Sequence, residues 1–335
     1  MRQFVYTLFG MVLTACFFVA CSSLNEESGY SLVNQIILDV LPMKYDAAYD
    51  GDSIVTRATV TGTGINLGFA FEHGDTIGIF PDMGYQIPFV LPLEEGETAP
   101  SVIIEAQGWM TKDGVVYSSY LPYDFYNRYY NKIPWDFSVP QVQSSNNKRD
   151  HLGARMFMAC DTTRADSGKF HASLQHMACI LRIQCVSPAT ADYRKIVLTV
   201  NDNVFATKGT FDIFDVHKDG NGKHTAESQP FHADEYTNFV YVLLKSGTRN
   251  SGQTLTGYLV VPPTDMRGKT ITAYIWTSEG VCYTGSVTAD NTDTYNWTRG
   301  TIKNIAFTSF SLTTTPTAYV TPYDSEVGLG GVALE

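Results

Sequence analysis

Apolar and polar residues alternate with period two along most of this chain. Leu32, Ile36, Leu38 and Val40 fall on one face of such a run, as do Met177, Cys179, Leu181 and Ile183, and again Ile196, Leu198 and Val200. A period of two places one side-chain row against a core and the other toward solvent, which predicts strands. Further strand-like runs cover 102–106, 211–216, 238–244, 255–261, 270–276, 281–287 and 303–312. Between them stand turn-forming pairs such as Asp113-Gly114, Pro262-Pro263, Arg267-Gly268 and Glu279-Gly280. Residues 24–41 also admit a helical reading. Short strands at this spacing predict an all-β fold built as a sandwich or barrel. Irregular segment lengths and a long connection at 138–155 argue against an outer-membrane barrel.

Composition narrows the class. The chain has 335 residues, which predicts two domains rather than one. Only 17% of residues are charged, while 44% are hydrophobic and 13% aromatic, so a disordered acidic tail is excluded. The formal net charge is -11 with no basic stripe, which argues against a nucleic-acid partner. The expected organisation is an N-terminal domain over 31–205, a C-terminal domain over 206–312 and a tail over 313–335.

The first twenty residues are an export signal by pattern: one basic residue, Arg2, then an apolar run from Phe4 to Ala20. Phe18-Val19-Ala20-Cys21 resembles the bacterial lipobox, which makes Cys21 the expected acylated residue and 21–30 a tether. Leu13-Thr14-Ala15-Cys16 also fits, but cleavage there would leave Phe17-Phe18-Val19 beside the lipid. The reading is an outer-membrane lipoprotein held at the cell surface by its acyl chains. Removing residues 1–20 deletes Arg2 and takes the formal charge from -11 to -12. Cys179 and Cys185 lie on one predicted strand about 20 Å apart, out of disulfide reach, so Cys160, Cys179, Cys185 and Cys282 are expected as buried free thiols.

No residues stand at the spacing of a phosphate-cradling loop, a zinc-protease helix or a nucleophile elbow, so no catalytic residue, metal or cofactor is assigned and the protein is not expected to be an enzyme. The densest feature is the segment 117–137, with nine aromatics in 21 residues. Tyr117, Tyr120, Tyr123, Tyr126 and Trp135 are candidate adhesive aromatics for a surface glycan or protein. The alternative for the same residues is packing between sheets.

Several short segments resemble the fimbrillin family. Gly74-Asp75-Thr76-Ile77-Gly78-Ile79-Phe80, after Phe69 and Phe71, is similar to a family signature, as are Tyr117-Ser118-Ser119-Tyr120-Leu121-Pro122-Tyr123 and the segment Phe170–Ala178. Trp297-Thr298-Arg299-Gly300 is similar to the family's last strand, with Ile302 where Tyr is usual. The resemblance implies two transthyretin-like Greek-key β-sandwich domains in tandem and a subunit of a pilus, or fimbrium. It also implies an Arg-specific cleavage that removes the first strand so that a neighbouring subunit can fill the groove. Arg57-Ala58 is the matching candidate processing site. Burial of Leu32, Ile36, Leu38 and Val40 would contribute roughly 6–12 kcal/mol. Losing that strand would expose an apolar groove flanked by unpaired backbone. The tail, with Val327, Leu329, Val332 and Leu334, is a candidate donor. Expected partners are therefore other pilus subunits. The rival reading is a glycan-binding surface lipoprotein.

Overall fold

The computed structural model describes residues 30–41, 43–45, 66–67, 70–81, 85–112, 116–124, 132–160, 163–164, 169–213 and 231–329. Among them the regular structure is strands and a few single 3-10 turns. The all-β expectation holds, and Tyr30–Val40 is a strand. The helical reading of 24–41 gives way there because Ile36, Leu38 and Val40 are buried at alternate positions, which a helix would spread around its surface.

Three sheets stack as layers. The first, eight-stranded sheet runs in the order Ile87–Val90, Thr76–Pro81, Val116–Leu121, Met158–Cys160, Lys169–His176, Tyr30–Val40, Ser101–Lys112, with Thr163–Arg164 beside Val116–Leu121. The middle, five-stranded sheet runs Thr254–Val261, Cys179–Val186, Thr301–Phe307, Met43–Tyr45, Asn66–Leu67. The third has seven strands and is built on Ala191–Thr199, Thr270–Thr277, Phe239–Leu244 and Cys282–Thr288.

The middle sheet faces two cores. Ile180, Tyr258, Val260 and Ile302 join the eight-stranded sheet's Ile36, Leu38, Phe170 and Leu174 in one cluster. Their neighbours Leu181, Ile183, Cys185, Leu259 and Ile305 join Ile196, Leu198, Ile271 and Ile275 of the seven-stranded sheet in another. Alternation along one strand thus feeds both cores, and Cys179–Val186 is buried almost continuously. Met177, which alternates with these residues in sequence, precedes that strand and enters a third cluster.

That third cluster lies on the far face of the eight-stranded sheet. Phe80, Tyr120, Phe157, Ala159 and Met177 meet Ile133, Phe211 and Ile213, under a three-stranded sheet of Lys132–Asp136, Phe205–Asp212 and Phe231–Thr237. Phe157 and Phe211 stack with centroids 4.7 Å apart.

The run 303–312 is two strands rather than one. Thr301–Phe307 pairs in the middle sheet, and after a break Ser311–Thr313 pairs with Cys282–Thr284 in the seven-stranded sheet. The chain crosses between layers at 308–310. Gly285 permits the crossing, since a Cβ there would stand 2.4 Å from the carbonyl oxygen of Ser309. At the turns expected from sequence, Gly268 and Gly280 have φ of 74° and 79°, the left-handed region that glycine occupies without strain.

The free edge of Thr254–Val261 is covered by side chains instead of a strand. The Gln141 amide donates to the Val260 carbonyl at 2.7 Å and accepts from its N–H at 2.8 Å. Gln143 does the same across Thr256 and Tyr258 at 3.0 Å each. Two glutamines thereby imitate backbone ladder bonds and blunt the edge.

Candidate interaction site

The N-terminal strand occupies an interior slot. Gln35–Val40 runs parallel to 169–174 and, on its other side, Tyr30–Asp39 runs antiparallel to Ser101–Lys112, with a register shift between Val33 and Gln35. Ile36 and Leu38 are fully buried and Val40 nearly so. On the opposite face Gln35 donates to Glu105 at 2.9 Å, and Asp39 pairs with His171. The strand carries backbone bonds on both edges, so removing it would leave two rows of unpaired groups above an apolar floor.

Three of the segments that carry the family resemblance lie in or beside this sheet and do packing work. Gly74 turns with φ of 88°, and the Asp75 carboxylate accepts from the Glu72 N–H at 3.0 Å to close that turn. Gly78 lies flat under the Tyr120 ring; a Cβ there would stand 2.4 Å from it. The Tyr120 hydroxyl donates to Gln86 at 2.6 Å, and burial pushes its pKa to about 12. In the third segment Phe170, Ala172, Leu174 and His176 point inward at alternate positions.

Of the candidate adhesive aromatics, Tyr117 and Tyr120 are 2% and 0% exposed. Tyr117 packs on Phe170 at 5.4 Å and Tyr120 on Phe157 at 6.0 Å. The surface reading of these two is corrected: opposite faces of one strand place them in opposite cores. Tyr123 is half-buried, and Trp135 is half-buried against Phe157 at 5.5 Å. Cys21, Arg57, Ala58 and Tyr126 lie outside the described residues. Cys160, Cys179, Cys185 and Cys282 are buried thiols outside any disulfide, as expected. Among the described residues there is no group of side chains placed to hold a metal ion, and no helix long and apolar enough to cross a membrane.

A second region leaves no signal in the sequence. The outer face of the seven-stranded sheet carries Val197, Trp276 and Cys282, with Phe239, Tyr241 and Tyr274 around them, and the tail lies over it through Tyr319 and Leu329. Beneath the tail Lys195 is fully buried. Its ammonium donates to both carboxylate oxygens of Asp324 at 2.7 and 2.9 Å and to the Tyr319 carbonyl. It also stands over the Tyr241 and Trp276 rings at 5.0 and 5.4 Å. Burial pulls the Lys195 pKa down, and the Asp324 carboxylate pushes it back up. Thr321 donates to the same carboxylate at 2.6 Å. In sequence Lys195 alternates with Ile196 and Leu198 as a solvent-facing residue would, so pattern alone hides it.

No protein-family model matches the chain, and no curated protein matches it. Several solved structures resemble the chain at low identity. A candidate cell adhesion protein of Bacteroides uniformis ATCC 8492 is 13% identical with TM-score 0.47, covering 72% of this chain and 90% of its own. A second, of Bacteroides ovatus ATCC 8483, is 13% identical with TM-score 0.45, covering 85% and 97%. The tip fimbrial protein Mfa3 of Porphyromonas gingivalis is 10% identical with TM-score 0.40, covering 83% and 98%.

Proposed function

We propose that this protein is a non-enzymatic structural or adhesive subunit of a cell-surface pilus, exported as a lipoprotein acylated at Cys21. Assembly proceeds by strand exchange: cleavage after Arg57 releases the N-terminal strand, and a strand from a neighbouring subunit takes its place. The observation that carries this reading is the position of Tyr30–Val40, interior to a sheet whose other strands all come from later in the chain. Burial of Ile36, Leu38 and Val40 contributes roughly 5–9 kcal/mol, a sum that a donated strand of the same pattern would restore. The two large apolar cores share the middle sheet, and each draws residues from both 31–205 and 206–312.

N-terminal sequencing of protein sheared from the cell surface tests the processing step. The expected result is a new terminus at Ala58. Recovery of intact material alone, beginning at acylated Cys21, would overturn the cleavage while leaving the fold untouched.

A further inference from the structure

The face over which the tail lies differs chemically from the slot of the N-terminal strand. Tail residues 317–329 form no strand; they make two single 3-10 turns, Thr317–Tyr319 and Asp324–Val327. Their hold on the sheet is specific all the same. The Tyr319 ring packs on Phe239 and Tyr274, each at 5.2 Å, and its hydroxyl reaches Thr199 at 3.3 Å. Five residues on, Asp324 places its carboxylate on the buried Lys195 ammonium, and Val327 is 3% exposed. A buried cation with a matched carboxylate discriminates, because any occupant lacking the acid would leave the charge desolvated. The face is therefore a receptor for a segment with an aromatic ring followed by an acid and an aliphatic residue.

We infer that this face is an exchangeable docking surface, filled here by the chain's own residues 317–329 and able to take the same segment from a second copy of the chain. Three features favour the second copy as occupant. The segment it would supply is identical, so every contact in the closed form is available between copies. Only residues 314–316 separate the last strand from the tail, and they make no ladder bonds. The clasp also rests on a few side chains rather than on a backbone ladder, so the tail can lift without unfolding a sheet. This inference uses no part of the N-terminal slot, and either proposal can fail alone.

Cys282 reports on the clasp. It lies in the cluster that Tyr319 and Leu329 cover, and Lys195 faces it; burial raises its pKa to about 12. The test is peptide-resolved maleimide labelling of the full chain in native buffer. Asp324→Ala should speed labelling of Cys282 by about tenfold or more. Cys160, Cys179 and Cys185, buried in other cores, should stay protected, which separates lifting of the tail from loss of the fold. A synthetic peptide of residues 316–329 should then restore protection of Cys282 in a dose-dependent way. The same peptide carrying Asp324→Asn should not, and neither peptide should protect Cys282 in a Lys195→Met chain. Should Asp324→Ala label all four thiols alike, Tyr319→Ala serves as the second lifting variant. Unchanged Cys282 labelling in both variants would overturn the clasp. Full opening without rescue by the wild-type peptide would overturn docking between copies.

Discussion

The two ends of the described chain are held by different physics. At the N-terminal end, Tyr30–Val40 is laced on both edges by backbone bonds and sinks Ile36, Leu38 and Val40 into a core. At the C-terminal end, 317–329 has no ladder and depends on one buried ion pair and a few rings. The first attachment is broad and indifferent to side-chain identity, provided that the alternation is kept. The second is narrow and chemically exacting. A strand can be replaced by any strand of similar pattern, whereas the clasp takes only its own kind.

Substitutions separate these attachments. The largest effect is expected at Leu38, which is fully buried. Leu38→Ala should lower the unfolding free energy by about 2–5 kcal/mol in urea titration, whereas half-buried Ile37 on the opposite face should cost well under half as much. Equal costs would mean that the strand is not held through its buried face. Acid is next. His176 sits on Lys169–His176, the partner of the N-terminal strand, and burial depresses its pKa from 6.5 to about 3. Between those values the unfolded chain binds a proton that the folded chain refuses. Stability should therefore fall as pH drops below about 6.5, by up to about 1.4 kcal/mol per pH unit, and His176→Leu should flatten that slope.

A smaller effect is expected where side chains imitate a ladder. Gln141→Ala strips both bonds from Val260 and should cost about 1–3 kcal/mol, together with faster concentration-dependent association through the bared edge. Dynamic light scattering would register the second part, and unchanged association would show that the edge is guarded by something else. The smallest global change belongs to the clasp: Tyr319→Ala should remove about 0.5–1.5 kcal/mol. That loss should show as faster hydrogen exchange confined to the tail and the strands beneath it. A uniform rise across the eight-stranded sheet would erase the contrast between the two ends.

The sequence carried much of the fold because alternation is a local signal. Ile196, Leu198 and Val200 announce a strand on their own, and Gly268 and Gly280 announce the turns that follow. It could not show that Ile180 and Leu181, adjacent in one strand, serve different cores, since that depends on two sheets brought together from elsewhere. For the same reason the split of 303–312 was invisible: both pieces alternate well, and only Gly285 on another strand marks where the chain crosses. The aromatics of 117–137 were conspicuous, yet the fate of Tyr117 and Tyr120 was set by the sheets above and below them. Lys195 was hidden most fully, because its partner Asp324 lies 129 residues away and pairing over that distance leaves no trace in either neighbourhood.

The double-faced middle strand has a mechanical consequence. Cys179–Val186 follows directly from Lys169–His176, the strand on which Tyr30–Val40 lies parallel. Tension along a strand lying parallel in that slot is shared among all the bonds of the ladder at once, because parallel neighbours resist sliding rather than unzipping. It then reaches a strand whose alternate side chains anchor in two cores, so neither core can yield without disturbing the other. Pulled through that slot, such a module would bear stretch as a single block.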